Sequence, residues 1–411
     1  MNCCTASPSS ARPLFGYPGH EMLLPEIWRA DGSSLWDRAG NRYVDLESGV
    51  WCTVVGHGHP ALLGVLTRQA AAVAHTGFGY SSPVVRQAAE DLLALLNFPA
   101  GRCVFLCSGG EAVEFGLRVA RMVIARPLLL SMADAYYGAY GTASVRSPAC
   151  WYDFDWSACD PCPHSEPCGP SCPRWAAIPL ADVGALVFEP GSSSGLVRFP
   201  PAKLVAAMAS QVRHNNGLVV VNEVTTGMGR TGRWFGFQHY DLRPDIVALG
   251  KGLGNGYPVS AAAVGPQVVQ RLGQREVPYA QSHQNDPLGA AVAREVIRIL
   301  RQEDLIAQSR PKADLLHAGL ERIRRGDGRI RQIRGRGLMI AVEMSDVATA
   351  VETHRRLARR GYLVARRPGL NVLRLDPSLT IPVADLDGFL KTLAEILAEP
   401  WTAVSSLAAN G

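Results

Sequence analysis

The feature that most constrains the fold is a series of short apolar runs that each end in small or polar residues. Examples are "CVFLCSGG", "LLLSMADA", "ALVFEP", "LVVVNEV" and "PDIVALGKG", which alternate with segments of helical pattern from about residue 60 onward. Such runs are typical of buried strands, and strands separated by helices indicate a mostly parallel sheet covered on both faces. Ligands bind where the strands of such sheets end, so the residues that follow these runs are candidates for a site.

The chain of 411 residues is long enough for a large domain and a smaller one. Residues 1–55 alternate strand-like runs with turn signals and are expected to form a small sheet. We expect the large domain over residues 56–305, with an insertion rich in Cys and Pro at 150–175. Residues 306–411 combine long helical stretches with a second alternation of strands, so we expect a separate α+β domain there.

The net charge of +5 is small for this length, and no basic run is interleaved with aromatic residues. Nucleic acid and anionic membranes are therefore not expected as partners. No apolar stretch is long enough to suggest a membrane span, and the start lacks the apolar core of a secretory signal. We therefore expect a cytoplasmic protein.

Basic residues are almost all arginine, and the lysines are Lys203, Lys251, Lys312 and Lys391. Arginine stays protonated, so any chemistry that needs an amine nucleophile depends on one of these lysines. Lys251 follows the apolar run of "PDIVALGKGLGNGYPVSA" and lies among glycines. Partial burial there would lower its pKa and let its amine attack a carbonyl.

Two further segments carry candidate ligand contacts. In "LCSGGEAVEFGLRVAR", Gly109 and Gly110 would let backbone N–H groups approach an anion at a helix N-terminus, so a phosphate is the natural ligand. An ordinary strand-to-helix turn is the alternative for this motif alone. In "ADAYYGAYG", Tyr136 would stack on a planar ligand and Tyr137 would line a pocket, although such residues alone more often have packing roles.

These segments have an order and spacing that resemble the class III (omega or ornithine type) aminotransferases, which are pyridoxal-phosphate enzymes of fold type I. The resemblance runs from about Leu23 to Ala398 and is carried by "SGGEAVEFGLRVAR", "FEPGSSSG", "VNEVTTGMGRTG", "PDIVALGKGLGNGYPVSA", "SHQNDPLGAAVA", "IRGRGLMIAVE" and "NVLRLDPSLTI". It implies a large α/β domain with a mostly parallel seven-stranded sheet and a smaller α+β domain built from both termini. It also implies a homodimer with shared active sites, pyridoxal 5′-phosphate as cofactor, and a small amino acid or amine as substrate.

The resemblance implies roles for individual residues. Lys251 is expected to bind the cofactor as a Schiff base and to move the proton at the substrate Cα. Gly109 and Gly110 match the cradle for the cofactor phosphate. Ser282 matches a hydroxyl-bearing residue that reaches this phosphate from the partner subunit.

Other matches concern the cofactor ring. Tyr136 would stack on one face of the pyridine ring, and Val224 would pack against the other. Thr225 replaces a glutamine that contacts the ring hydroxyl in the family. Glu189 matches the acidic residue of the "EP" motif near the cofactor.

The resemblance also places the substrate. Arg374 matches an arginine that holds a substrate carboxylate in a bidentate pair. Trp51 and Tyr137 are expected to shape the rest of the substrate pocket. The predicted function is therefore that of an aminotransferase acting on a carboxylate-bearing amino acid.

Asn222 is the departure that bears most on the reaction. The family has Asp there, whose carboxylate pairs with the protonated pyridine nitrogen, and a neutral amide cannot hold that charge. Glu223 is not a simple replacement, because adjacent strand residues point to opposite faces. Three interpretations stay open: an inactivating change, engineered or natural; a reaction that needs less ring protonation; or an aminotransferase in which another acid compensates.

The departure at Asn222 motivates an alternative function. A pyridoxal-phosphate enzyme of specialised biosynthesis would use the same cofactor for elimination, replacement or C–C bond formation at Cβ or Cγ of an amino acid. A protein that binds the cofactor without catalysis is a third possibility.

Five cysteines cluster in "CWYDFDWSACDPCPHSEPCGPSC". Cys159 and Cys162 have the two-residue spacing of metal ligands, and Cys168 and Cys172 would complete a set of four. Such a cluster in a cytoplasmic protein favours metal over disulfides. Zinc is the first choice and an iron–sulfur cluster the second, and a reduced loop without metal is the alternative. A structural site fits better than a catalytic one, because the organic cofactor already supplies the chemistry.

Overall fold

The structure is a computed structural model, and it describes residues 15–24, 26–162 and 167–400. Its strands, in chain order, are β1 (Ile27–Asp31), β2 (Ser34–Asp37), β3 (Arg42–Asp45), β4 (Arg102–Leu106), β5 (Leu128–Met132), β6 (Trp151–Phe154), β7 (Val183–Phe188), β8 (Leu218–Asn222), β9 (Ile246–Leu249), β10 (Ser260–Val264), β11 (Ile330–Arg336), β12 (Met339–Met344), β13 (Tyr362–Leu363), β14 (Ala365–Arg366) and β15 (Val372–Leu375).

Its helices are α1 (Ser48–Trp51), α2 (Pro60–Ala72), α3 (Pro83–Leu95), α4 (Gly109–Val123), α5 (Thr142–Val145), α6 (Pro173–Ala176), α7 (Ala202–His214), α8 (Pro266–Leu272), α9 (Pro287–Gln302), α10 (Leu305–Gly326), α11 (Val347–Arg359) and α12 (Val383–Ala398), with short 3-10 helices at Ser157–Cys159, Gly236–Tyr240 and Lys251–Leu253. Among the described residues, no helix has both the length and the apolar character needed to cross a membrane.

The large sheet has seven strands in the order β4-β10-β9-β8-β7-β5-β6. Strand β10 runs antiparallel to both of its neighbours, and the other neighbouring pairs are parallel. Strands β7 to β10 are buried along their whole length, because helices such as α4 and α7 pack against the sheet. The predicted mostly parallel seven-stranded sheet is confirmed.

The smaller α+β region is built from both ends of the chain. Strand β13 joins the N-terminal strands in the sheet β1-β2-β3-β13, where Tyr362 lies opposite Val44 and Leu363 opposite Asp45 in a parallel pair. A second four-stranded sheet has the order β11-β12-β15-β14. This arrangement agrees with the predicted fold class, while the predicted residue boundaries of the domains stay a prediction.

The sheet topology determines where a site can form. Strands β7, β8 and β9 are parallel neighbours, so their carboxyl ends meet at one edge of the sheet. Glu189 directly follows β7, and Asn222 is the last residue of β8. One residue separates Lys251 from the end of β9. Three of the predicted site residues therefore lie along the same edge.

Candidate active site

The N-terminus of α4 lies against the ends of the neighbouring strands. Ser108 caps this helix, since its Oγ accepts a hydrogen bond from Glu111 N at 3.3 Å while the Glu111 carboxylate accepts one from Ser108 N at 2.7 Å. A Cβ added to Gly109 would lie 2.5 Å from Val224 Cγ1, and one added to Gly250 would lie 3.2 Å from the Gly109 Cα. Close approach of backbone at these glycines therefore brings the start of α4 next to the loops that follow β8 and β9.

Lys251 lies where the start of α4 meets the loops that follow β8 and β9, and its backbone conformation is strained. Its φ of 43° is unusual for a residue with a side chain, and such strain is found most often at functional sites. The Nζ atom donates a hydrogen bond to Thr225 Oγ1 at 2.8 Å and lies 4.9 Å from the centroid of the Trp51 ring. The pKa of Lys251 is lowered to about 8, chiefly by burial and then by the positive charge of Arg374. A substantial share of this amine is therefore neutral near pH 8.

Two buried side chains hold the backbone of Tyr136. Glu189 Oε2 accepts a hydrogen bond from Tyr136 N at 3.0 Å, and Asn222 Nδ2 donates one to Tyr136 O at 2.9 Å. Asn222 Oδ1 also accepts a hydrogen bond from Val224 N at 3.1 Å. Because both ends of the Asn222 amide have backbone partners, its orientation is fixed. The Arg367 guanidinium carbon lies 5.4 Å from the centroid of the Tyr136 ring, within the range of a cation–π contact.

The two carboxylates at this edge have different surroundings. Burial raises the pKa of Glu189 to about 7, and it raises the pKa of Glu223 to about 7 as well. Glu223 accepts hydrogen bonds from Thr226 Oγ1, Gly236 N and Phe237 N at 2.7, 2.9 and 2.7 Å. Both Glu223 oxygens thus accept hydrogen bonds from residues that follow β8. These hydrogen bonds do not favour Glu223 as a substitute for the carboxylate that the family has at position 222.

A cavity of about 500 Å³ is lined by Trp51 and Arg374, and the Trp51 ring is the one that Lys251 Nζ approaches. The guanidinium carbon of Arg374 lies 3.5 Å from the centroid of the Trp51 ring. Asp376 accepts hydrogen bonds from Arg374 Nε and Nη2 at 2.7 and 3.2 Å. Arg374 Nη1 and Trp51 Nε1 are buried without a hydrogen-bond partner among the described residues. Asp376 therefore occupies the Nε and Nη2 side of the fork, and Nη1 is the Arg374 group left without a partner in the described part of the chain.

The short helix α1 explains the position of Trp51. Each residue from Ser48 to Trp51 has a positive φ, between 52° and 68°, so this segment is one turn of left-handed helix. Left-handed conformations cost about 1–2 kcal/mol for each residue with a side chain. The turn nevertheless persists, and it places the Trp51 ring between Lys251 and Arg374.

Glu47, Arg367 and Asp376 are residues near the site that sequence reasoning missed. Glu47 lines the same cavity, and its pKa is raised to about 7, first by burial and then by the carboxylates of Asp45 and Asp376. Asp376 follows Arg374 by two residues in "NVLRLDPSLTI", a spacing that places both side chains on one face of a strand. No comparable signal marks Glu47, because its position depends on the left-handed turn that follows it.

Tyr137 does not have the environment expected of a substrate contact. Its hydroxyl donates a hydrogen bond to Val187 O at 2.7 Å and pairs with Ser131 Oγ at 2.9 Å. Its ring stacks on Trp151 with 5.7 Å between centroids. Tyr137 is buried and its hydroxyl is engaged, so the structure gives it a packing role.

Ser282 lies apart from these contacts, in an exposed loop before α9. Its neighbour Gln281 approaches the site of its own chain, since Gln281 Nε2 lies 3.9 Å from Cys107 Sγ. The expected contact of Ser282 with a cofactor phosphate is therefore not made within the single chain.

The predicted metal ligands line a second cavity of about 300 Å³: Cys159, Cys162, Cys168 and Cys172. All four are half-buried and free of disulfides. Among the described residues, no three of these sulfur atoms lie within 4.8 Å of one another. The thiols therefore share a cavity without the spacing of a preformed site for one ion.

The residues beside Lys251 fit the cofactor that the resemblance implies. The start of α4 offers a glycine-lined helix N-terminus, which suits a phosphate. Lys251 provides an amine of lowered pKa for an aldehyde. Tyr136 provides an aromatic ring on a fixed backbone. The close contact between Gly109 and Val224 leaves no room for a side chain at position 109, where the phosphate is expected to bind.

Comparisons with known proteins agree with this fit. A sequence model described as "Aminotransferase class-III" matches residues 16–154 and 177–397 and leaves out the segment that carries the four cysteines. The acetylornithine aminotransferase of Mycobacterium tuberculosis is 34% identical over 376 residues, which cover 89% of this chain and 90% of that protein.

Solved structures show the same fold. The N-acetylornithine aminotransferase of Stenotrophomonas maltophilia K279a is 27% identical with a TM-score of 0.74, and the match covers 90% of this chain and 95% of that one. The ornithine aminotransferase of Toxoplasma gondii is 25% identical with a TM-score of 0.79, over 93% of this chain and 91% of that one. These relatives do not favour the alternative of an elimination, replacement or C–C bond-forming enzyme. The chain belongs to the class III aminotransferases and is a pyridoxal-phosphate-dependent transferase of fold type I.

Proposed function

We propose that this aminotransferase takes the amino group from a carboxylate-bearing amino acid and passes it to a 2-oxo acid, with Lys251 as the residue that binds the cofactor covalently. The observation that carries the proposal is the convergence of Lys251, Val224 and the start of α4 at the edge of the large sheet. When bound, pyridoxal phosphate supplies an aldehyde that accepts the amino group and a ring that withdraws electrons from the substrate carbon that bears this amine.

The chain's own residues divide the remaining work. Gly109 and Gly110 bind the phosphate with the backbone N–H groups of the first turn of α4. The Lys251 amine, held by Thr225 at 2.8 Å and with a pKa of about 8, takes a proton from the substrate carbon that bears the reacting amine and returns it. Glu189 and Asn222 hold the Tyr136 peptide, so the aromatic ring is fixed beside the cofactor.

The substrate carboxylate binds in the cavity lined by Arg374 and Trp51. Arg374 Nη1 and Trp51 Nε1 are buried donors without partners among the described residues, and a carboxylate satisfies both. Relatives are named for acetylornithine and for ornithine, both of which carry a carboxylate, so these two amino acids are the first donors to test.

We also propose a homodimer with shared active sites. Ser282 is exposed in the single chain, and Phe78 and Tyr80 are 74% and 79% exposed in the loop before α3. Exposed large apolar side chains of this kind mark interaction surfaces. In the dimer, Ser282 of one protomer contacts the cofactor phosphate of its partner.

A single-turnover experiment tests the reaction. The enzyme loaded with pyridoxal phosphate is mixed with acetylornithine or ornithine in the absence of an acceptor, and the carbonyl product is measured against the number of active sites. We expect about one carbonyl product per site, followed by return of the original cofactor spectrum when 2-oxoglutarate is added. Release of ammonia, or a product that keeps its amino group, would instead support elimination, replacement or C–C bond formation.

A further inference from the structure

Described residues of the segment between β6 and β7 line a cavity together with Phe154 and residues of α7, and the proposed transamination site does not use this cavity. Its lining includes Cys159, Cys162, Cys168 and Cys172 and shares no residue with the cavity beside Trp51. The family match stops at residue 154 and resumes at 177, so these cysteines lie in a segment that the family model does not describe. The four cysteines of the cavity therefore lie outside the part of the chain that matches the family model.

The walls of the cavity are part of the packed core. Phe154 ends strand β6, Trp175 lies in α6 and Leu204 lies in α7, and all three side chains are buried. Trp156 is also buried, and its Nε1 donates a hydrogen bond to Asp134 Oδ1 at 2.7 Å. Asp134 lies two residues before Tyr136, so the cysteine-bearing segment is joined directly to the loop that enters the active site.

Backbone hydrogen bonds hold the first and the last of the four cysteines. Cys159 ends a 3-10 helix, and its N–H donates to Trp156 O at 2.8 Å. Cys172 directly precedes α6; its N–H donates to Gly169 O at 3.0 Å, and its carbonyl accepts from Ala176 N at 2.9 Å. The backbones of Cys159 and Cys172 are therefore held in ordered turns beside the apolar residues that line the cavity.

The distances between the sulfur atoms distinguish one ion from a larger group. Four thiolates around a single zinc ion, with Zn–S bonds of about 2.3 Å, lie about 3.8 Å from one another. No three of these sulfur atoms come within 4.8 Å of one another in the described chain, although all four line one cavity of about 300 Å³. Among the described residues these four thiols therefore lack the close spacing of a single-ion site, and four cysteines that line one cavity are the usual ligand set of an iron–sulfur cluster.

The charges around the cavity agree with this ligand. A cluster with four thiolate ligands is anionic, and Lys203 and Arg174 are cationic residues in the cavity lining. The remaining walls are mostly apolar, which shields a cluster from water.

We propose that Cys159, Cys162, Cys168 and Cys172 bind an iron–sulfur cluster that holds the segment between β6 and β7 in place. Each cysteine loses its thiol proton and its sulfur binds one iron, while iron and sulfide are supplied during assembly. The site is structural, because it is separate from the cavity lined by Trp51 and Arg374.

The test uses the full chain loaded with pyridoxal phosphate, purified without oxygen and reconstituted with ferric and ferrous iron and sulfide, so that no further oxidant is needed. Iron, acid-labile sulfide and zinc are measured per chain, and Mössbauer spectra of 57Fe-labelled protein identify the cluster independently of the absorption of pyridoxal phosphate. We expect iron and sulfide in equal amounts and a cluster spectrum. Cys162→Ser and Cys168→Ser should each lose most of the iron and sulfide.

Cys150→Ser is the matched control, since Cys150 is a half-buried free cysteine of the same segment that does not line the cavity. It should keep the full iron and sulfide content, and circular dichroism should show that all variants stay folded. One zinc per chain without sulfide, no bound metal in the wild type, or iron retained by both cavity variants would overturn the proposal.

Discussion

Asn222 is buried at the end of β8, with its amide nitrogen on Tyr136 O and its amide oxygen on Val224 N. Its Nδ2–H groups make it the natural partner of a backbone carbonyl. A carboxylate there would place an oxygen against the Tyr136 carbonyl oxygen, and two acceptors repel. The amide therefore has a structural function in this chain in addition to its position at the expected cofactor ring.

Asn222→Asp should destabilise the cofactor-free protein by about 1–3 kcal/mol, because the Tyr136 carbonyl loses its donor. Pyridoxal phosphate with a protonated ring nitrogen should offset much of this loss by pairing with the new carboxylate. Urea unfolding with and without the cofactor measures both effects. Asn371→Asp is the matched control, since Asn371 Nδ2 donates to Met344 O at 2.6 Å in a different sheet. The control should lose stability to the same extent in both states, and an equal loss in both states for Asn222→Asp would contradict the account.

The pKa of Lys251 predicts the pH dependence of cofactor attachment. Attack on the aldehyde needs the neutral amine, and the folded chain lowers the pKa of this lysine to about 8 from an ordinary value of about 10.4. The rate of attachment should therefore rise with pH and level off above about pH 8. Stopped-flow absorbance of pyridoxal phosphate mixed with cofactor-free enzyme gives this profile. A rate that keeps rising to pH 10 would show that burial does not lower the pKa of this amine.

At the scale of single elements, the start of α4 depends on the absence of a side chain at Gly109. Gly109→Ala would place Cβ within 2.5 Å of Val224 Cγ1. Overpacking of this kind costs about 1–3 kcal/mol, so affinity for pyridoxal phosphate should fall about fivefold or more. Equilibrium titration with pyridoxal phosphate measures the loss.

Two further variants make the test of Gly109 specific. In Gly110→Ala the new Cβ would lie 3.4 Å from a Tyr140 ring atom, which is an ordinary contact. Gly110→Ala gains the same helix propensity as Gly109→Ala, but its affinity for pyridoxal phosphate should change little. Adding Val224→Ala to Gly109→Ala should restore part of the affinity. Equal effects of the two glycine substitutions would indicate that contact with Val224 is not the cause.

Regular elements were predictable from the sequence, because burial on both faces leaves continuous apolar runs. The run "LVVVNEV" forms β8, which ends at Asn222, and "PDIVALGKG" forms β9 ahead of Lys251. The segment "GYLVARR" instead divides into β13 and β14, which join different sheets, and local pattern cannot predict pairing with distant strands.

The conformations of irregular segments were not predictable, because their apolar residues do not recur at a regular spacing. Val50 and Trp51 disfavour the left-handed turn that they adopt, so only tertiary contacts explain it. In "ADAYYGAYG", Tyr137 packs in the core whereas Tyr140 pairs with Ser108 Oγ at 2.8 Å, and nothing in the local sequence distinguishes the two. Lys251 and Gly109 were therefore easier to predict from the sequence than the cavity lined by Trp51 and Arg374.

At the scale of the whole molecule, the account requires two chains for each complete cofactor site. Lys251→Ala and Ser282→Ala should each bind pyridoxal phosphate weakly when produced alone. When the two variants are produced together, each mixed dimer should contain one site with both native residues, so about a quarter of all sites should recover tight binding in a random mixture. Titration of tight sites measures the fraction. No recovery would mean that Ser282 serves the cofactor of its own chain or none.

In the proposed enzyme, Lys251 binds pyridoxal phosphate covalently at the edge of the large sheet. The four lysines of the chain, Lys203, Lys251, Lys312 and Lys391, make a direct measurement possible. The enzyme is loaded with pyridoxal phosphate, reduced with sodium borohydride and digested, and mass spectrometry identifies the modified lysine. The account predicts one phosphopyridoxyl group per chain on Lys251, and none in Lys251→Ala. Modification of another lysine instead, or of none, would contradict it.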